Sequence, residues 1–236
     1  MINKCPKLRG DVPEEIITGF TNLKFNLLSS EELPKLGELP KEFLDKHEKL
    51  GLTNGDVLVC YNKIEEGESI TIDCGKAGFL DAIHHDPLRV LATNAVISIG
   101  EEHIILIKRP KDLIYAGGWY DFPAGLIIYQ EGLSPEEMII KRLENRILED
   151  LRLDNLNSIE VQERFPIFIG SNGGKITESA MSFFFRTKWD ISLENARKFL
   201  DEKFKEEERP IILKKSELED FVKNNKVVYP EALQFL

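Results

Sequence analysis

Apolar residues recur every four positions at Ile139, Leu143, Ile147 and Leu151, the spacing that lines one face of a helix. Ser134-Pro135-Glu136-Glu137 precedes them. Ser134 suits the N-cap, Pro135 the first helical position, and Glu137 completes a capping box. The pattern predicts a helix over 134–151 that buries its stripe against a sheet. Before it, Leu126, Ile127 and Ile128 predict a short buried strand, entered through Phe122-Pro123-Ala124-Gly125. The glycine there lets another group come close to the backbone.

Asn54-Gly55-Asp56 is a turn before the strand Val57–Tyr61, and the alternation over Ser69–Cys74 makes its hairpin partner. Ile159–Ile169 reads as one long strand broken near Pro166. Ser171-Asn172-Gly173-Gly174 is a hairpin turn, and Ala180–Lys188 the returning strand, with Phe183 and Phe185 on one face and Phe184 on the other. Leu193–Phe204 predicts an amphipathic helix, Ile211–Lys214 a strand, Ser216 with Glu219 a capped short helix, and Pro230 the start of a last turn. Toward the N-terminus, Val12–Phe25 supplies a strand. Glu31–Leu52 is helical but broken at Pro34 and Pro40, and Asp81–Pro87 reads as a loop.

These elements predict a mixed sheet flanked by helices, an α/β (α+β) architecture. Residues 1–87 carry too few apolar side chains for an independent core, so they are expected to form an N-terminal α/β subdomain packed on a main domain of 88–236.

Composition narrows the function classes. The net charge of -10 over 236 residues argues against a nucleic-acid surface, though a local cationic pocket can still hold one nucleotide. Cys5, Cys60 and Cys74 form no C-x-x-C pair, so neither a zinc site nor a disulfide framework is expected, and the thiols fit a reducing cytoplasm. The N-terminus lacks an apolar signal core, and no apolar run is long enough to span a membrane. Adjacent His84 and His85 point in different directions and lack the spacing of a metal pair.

The polar residues late in the 134–151 helix carry the candidate chemistry. Arg146, Glu149 and Asp150 lie three and four apart and project together. Two adjacent carboxylates with a nearby carbonyl could hold a hard divalent cation. The same residues also describe an ordinary ion-paired helix end.

The stretch resembles the box of the Nudix hydrolase family, G-x5-E-x7-R-E-U-x-E-E-x-G-U with U aliphatic. Gly125 and Glu131 match its opening; Ile147, Glu149, Asp150 and Leu153 match its closing half. Four departures stand out. Thirteen residues, not seven, separate Glu131 from Asn145; Asn145 stands for the motif's Arg, Arg146 for its metal-binding Glu, and Arg152 for its late Gly. Leu91–Ile99, Ile104–Arg109 and Gly117-Gly118-Trp119-Tyr120-Asp121-Phe122-Pro123 resemble the family's first strands and its entry to the box. The likeness covers about Leu88 to Leu236 and is nearest the UDP-glucose and UDP-galactose pyrophosphatase-like subgroup, whose members also stretch the box.

The resemblance implies a Mg2+- or Mn2+-dependent pyrophosphohydrolase of a small nucleoside diphosphate derivative, such as a nucleotide sugar. The metal set would be Glu149, Asp150 and the carbonyl of Ala124. An acid from Glu206, Glu207 or Glu208 would add a ligand or base. Lys108, Arg109, Gly125 and Arg146, with Lys111 as a further candidate, would meet the phosphates. Trp119 or Tyr120 would stack on a base. The bland alternatives are a charged strand end for the cations, core packing for the aromatics and a solvated loop for the acids. The rival reading for the whole chain is a catalytically weak or inactive nucleotide-binding or scaffold protein, because Arg146 replaces a metal-binding Glu.

Overall fold

A computed structural model of the chain describes residues 15–85, 88–113, 117–162, 166–172 and 180–228. Among these residues twelve strands join into one mixed sheet flanked by helices. The strands are β1 (Glu15–Ile17), β2 (Asn22–Leu27), β3 (Asp56–Glu66), β4 (Ser69–Gly78), β5 (Arg89–Ile99), β6 (His103–Lys108), β7 (Tyr120–Asp121), β8 (Ala124–Leu126), β9 (Ile159–Val161), β10 (Phe168–Asn172), β11 (Ala180–Trp189) and β12 (Ile211–Lys214). The α-helices are α1 (Lys41–Glu48), α2 (Phe79–His84), α3 (Pro135–Leu151), α4 (Leu193–Lys203) and α5 (Leu218–Asn224).

The main path runs β1-β10-β11-β5-β3-β4-β2. Its centre is β5, which lies parallel to β11 over the full register from Val90↔Ala180 to Ile99↔Trp189. On the other side β5 meets β3 at Val59↔Val90 and β8 at Thr93↔Gly125. Strands from 1–87 and from 88–236 therefore share one hydrogen-bonded sheet.

The predicted helix forms as α3. Ser134 Oγ accepts from the Glu137 N–H while the Glu137 carboxylate accepts from the Ser134 N–H, closing both arms of the capping box. Ile139, Leu143, Ile147 and Leu151 are buried together with Leu91, Ala95 and Ile97 of β5 and with Phe183 and Phe185 of β11. Each such side chain contributes about 1.5–3 kcal/mol by leaving water. Phe184 points the other way, into a second cluster with Val96, Ile104, Leu106, Phe122 and Leu218, as the strand alternation requires. A third cluster joins Val57, Val59, Phe79, Leu80, Ile83 and Val90, with Leu36, Leu39 and Phe43 packed on it.

Several expectations shift. The strand expected at 126–128 begins at Ala124 instead; Ile127 is buried, but Ile128 is 46% exposed and makes a single bridge to Val57. Most of the stretch read as a loop belongs to α2, whose Phe79, Leu80, Ala82 and Ile83 are buried. The local pattern concealed it because only tertiary packing covers so short a helix. His85 ends α2 and hydrogen-bonds the Gly37 carbonyl at 3.0 Å. Ser216 caps nothing; it lies inside a 3-10 turn, Lys215–Glu217, that leads into α5. The long strand at 159–169 is two pieces, β9 and β10, both antiparallel to β11 along the edge that faces away from β5. Gly173, Gly174, Cys5 and Pro230 lie outside the described residues. No helix among the described residues is long and apolar enough to cross a membrane.

Candidate functional site

The apolar stripe fixes how α3 is rotated. With Leu143 and Ile147 turned into the core, Arg142, Arg146, Glu149 and Asp150 fall on the side that meets β8. The meeting is close. A Cβ placed on Gly125 would stand 2.7 Å from Arg146 Cδ and 2.8 Å from Arg142 Nε. Glycine is the residue type that lets two arginine side chains lie against this backbone.

Arg146 then bridges the two acids. One guanidinium nitrogen donates to Glu149 Oε2 at 2.6 Å and the other to Asp150 Oδ1. Its Nε is buried and, among the described residues, has no hydrogen-bond partner. Asp150 is the more buried acid, its side chain 11% exposed against 53% for Glu149. The second Asp150 oxygen accepts from the Ala124 N–H at 3.3 Å. The contact between Asp150 and Ala124 thus runs through the Ala124 amide N–H. Burial pushes the Asp150 carboxyl above its ordinary value, against the opposing pull of Arg146 and the Ala124 N–H.

Behind this pair sits Asp121, which had been read only as one letter of the approach to the box. It is 2% exposed. One oxygen accepts from Arg109 at 2.8 Å and the other from the Phe122 N–H at 2.8 Å. Burial raises its pKa, and Arg109, the Phe122 N–H and Arg146 pull it back. Asp121 and Asp150 each feel the field of the other's surroundings: Arg146 reaches Asp121, and Asp121 reaches Asp150. Arg142 completes the group. Its Nε donates to the Leu126 carbonyl at 3.0 Å, and its NH1 lies 3.9 Å from Glu149.

The cluster thus matches three guanidinium groups, Arg109, Arg142 and Arg146, with three carboxylates, Asp121, Glu149 and Asp150. Each carboxylate already receives a charged donor. A hard divalent cation needs several free oxygens. Here the positive charge between Glu149 and Asp150 is the Arg146 guanidinium, and among the described residues no group of three or more His, Cys, Asp or Glu is arranged for a metal. With Arg146 in place the donor set suits a guanidinium rather than Mg2+ or Mn2+.

The other candidates spread around this centre. Lys108 lies 5.7 Å over the Tyr120 ring, and Tyr120 packs edge-on to Phe221. Trp119 is buried, with the Lys226 ammonium 5.5 Å over its ring. Lys111 packs its stem near Gly118. Glu206, Glu207 and Glu208 form a turn after α4, and Glu208 pairs with Arg152 at 2.9 Å. Arg152 is the C-cap of α3 and, among the described residues, the one non-glycine with positive φ, at 52°. That is the left-handed conformation in which helix ends favour glycine. Its guanidinium also donates to the Lys203 carbonyl at 2.7 Å and stacks 4.3 Å from the Phe204 ring.

Asp121 and Arg142 are the residues that sequence reasoning missed. Asp121 lay next to Phe122 in a strand end, and nothing local announced its burial. Arg142 sits four residues before Arg146; that spacing was the available signal.

No protein-family model matches the chain, and no curated protein matches it. Solved structures overlap it in part. Tm1382, described as a candidate Nudix hydrolase, has a TM-score of 0.46 at 14% identity over 70% of this chain and 89% of its own. DR0079 from Deinococcus radiodurans has a TM-score of 0.42 at 14% identity over 64% of this chain and 86% of its own. MutT, solved in work on Aliivibrio salmonicida and Vibrio cholerae, has a TM-score of 0.30 at 16% identity over 56% of this chain and 85% of its own.

Proposed function

We propose that the chain binds a nucleoside diphosphate derivative, such as a nucleotide sugar, beside Gly125 and α3, and hydrolyses it slowly or not at all. The observation that carries this reading is the double ion pair of Arg146 with Glu149 and Asp150 over Gly125. In the box that this stretch resembles, the same position is a carboxylate that holds a divalent cation. A fixed guanidinium supplies one positive charge there and cannot be titrated away near neutral pH. It cannot supply the metal-bound water that attacks phosphorus in metal-assisted hydrolysis.

The second reading keeps the enzyme. Glu149 is half exposed, and Glu208 is held near the end of α3 by Arg152. Movement of Arg146 out of the site would leave Glu149 and Asp150 as oxygen donors for Mg2+ or Mn2+. A hydrolysis screen of nucleoside diphosphate derivatives separates the two. The wild type should show little or no turnover with either metal, and Arg146→Glu should gain some. Rapid turnover by the wild type would establish the enzyme and retire the proposal.

A further inference from the structure

We infer that Arg142 is the phosphate-receiving group of this site and that it binds phosphate without a metal. The inference rests on the diphosphate reading above and names the residue that would grip the ligand.

Arg142 is held by one edge. Its Nε donates to the Leu126 carbonyl at 3.0 Å, and the bare Gly125 backbone lets that edge lie flat against β8. The opposite edge makes only a long ion pair with Glu149 among the described residues. Among the described residues neither terminal nitrogen makes a hydrogen bond, and the one nearby acid is Glu149, whose Oε1 stands 3.9 Å from NH1. Glu149 has its other oxygen on Arg146 at 2.6 Å. Arg146, by contrast, spends both terminal nitrogens on Glu149 and Asp150.

Charge points the same way. Arg142 is partly buried, its side chain 24% exposed, and it lies one turn from Arg146. Burial and that neighbouring cation both act against its charged form, and the smaller pull of Glu149 and Asp150 opposes them. An anion on the open edge would relieve both. A guanidinium anchored at Nε offers its terminal nitrogens as a preformed fork, the geometry that takes two oxygens of a phosphate. Glu149 is the one acid that faces this fork, and at 53% exposure it can turn into water as a phosphate arrives.

The test is calorimetric titration of inorganic pyrophosphate in buffer with chelator and low salt, against wild type, Arg142→Gln and Arg142→Lys. The wild type should bind, and Arg142→Gln should weaken binding roughly tenfold or more, the size of a lost charge-assisted contact. Arg142→Lys should recover part of it, because an ammonium keeps the charge but lacks the rigid planar fork that takes two oxygens in parallel. In wild type labelled with 15N-arginine, pyrophosphate should move the Arg142 guanidinium signals more than those of Arg152, so the result does not depend on the variants folding. Equal affinity in wild type and Arg142→Gln, or unmoved Arg142 signals at saturation, overturns the assignment while leaving diphosphate binding intact. A wild type that binds neither pyrophosphate nor any nucleoside diphosphate derivative removes both.

Discussion

Arg146 lies so close to Gly125 that a methyl group on the glycine would stand 2.7 Å from its Cδ and 2.8 Å from its Cγ. The same methyl would meet Arg142 Nε at 2.8 Å. Gly125→Ala must therefore push both arginines off β8, loosening the pairing of Arg146 with buried Asp150 and of Arg142 with the Leu126 carbonyl. Overpacking of this kind costs about 1–3 kcal/mol. Urea denaturation should show a loss in that range. A change under about 0.5 kcal/mol, the ordinary surface scatter, would mean that the arginines swing away freely.

Arg152 offers a second comparison. A side chain in the left-handed region costs about 1–2 kcal/mol relative to glycine. The exposed pair with Glu208 contributes about 0–1 kcal/mol and the hydrogen bond to the Lys203 carbonyl about 1 kcal/mol, which together roughly offset the strain. Arg152→Gly should leave stability nearly unchanged, while Arg152→Ala, which keeps the strain and loses the contacts, should be less stable than the glycine variant by about 1 kcal/mol. Thermal melts of the three proteins decide it. If the alanine variant matches the glycine one, Arg152 does not hold this conformation in solution.

The pH dependence of stability reports on Asp121. Its folded pKa is raised by burial. A group shifted this way contributes stability that is fully present below the ordinary carboxylate pKa of about 3.9 and is lost as the pH rises through the folded value. Asp121→Asn removes the titration. It also sets an amide donor against Arg109 or the Phe122 N–H, a penalty that does not vary with pH. The advantage of wild type over Asp121→Asn should therefore shrink as the pH rises from about 4 toward neutrality. Some slope remains in the variant because Asp150 is raised too. A difference that is flat, or that grows with pH, would show that pairing with Arg109 outweighs burial.

Local patterns gave the elements more readily than their partners. The four-residue stripe and the capping box specify α3 because both are short-range signals. Phe183, Phe184 and Phe185 sort to two faces by simple alternation. The parallel pairing of β5 with β11 joins Val90 to Ala180 across the middle of the chain, and no local pattern encodes it. The site divides in the same way. Glu149, Asp150 and Arg146 were legible as one helical face. The burial of Asp121 and the anchoring of Arg142 on Leu126 depend on β7 and β8 packing beside α3, so they appear only once the sheet is assembled.

The central claim is that Arg146 occupies the place of a divalent cation. A cation brought to about 4 Å from this guanidinium meets repulsion of about 4 kcal/mol per unit charge at an effective dielectric of 20. Calorimetric titration with Mn2+ measures the consequence directly. The wild type should bind weakly or without saturation, and Arg146→Glu, which adds a third acid beside Glu149 and Asp150, should bind markedly tighter. Equal affinity in the two proteins, or tight binding by the wild type, would contradict the account and place Arg146 outside the site in solution.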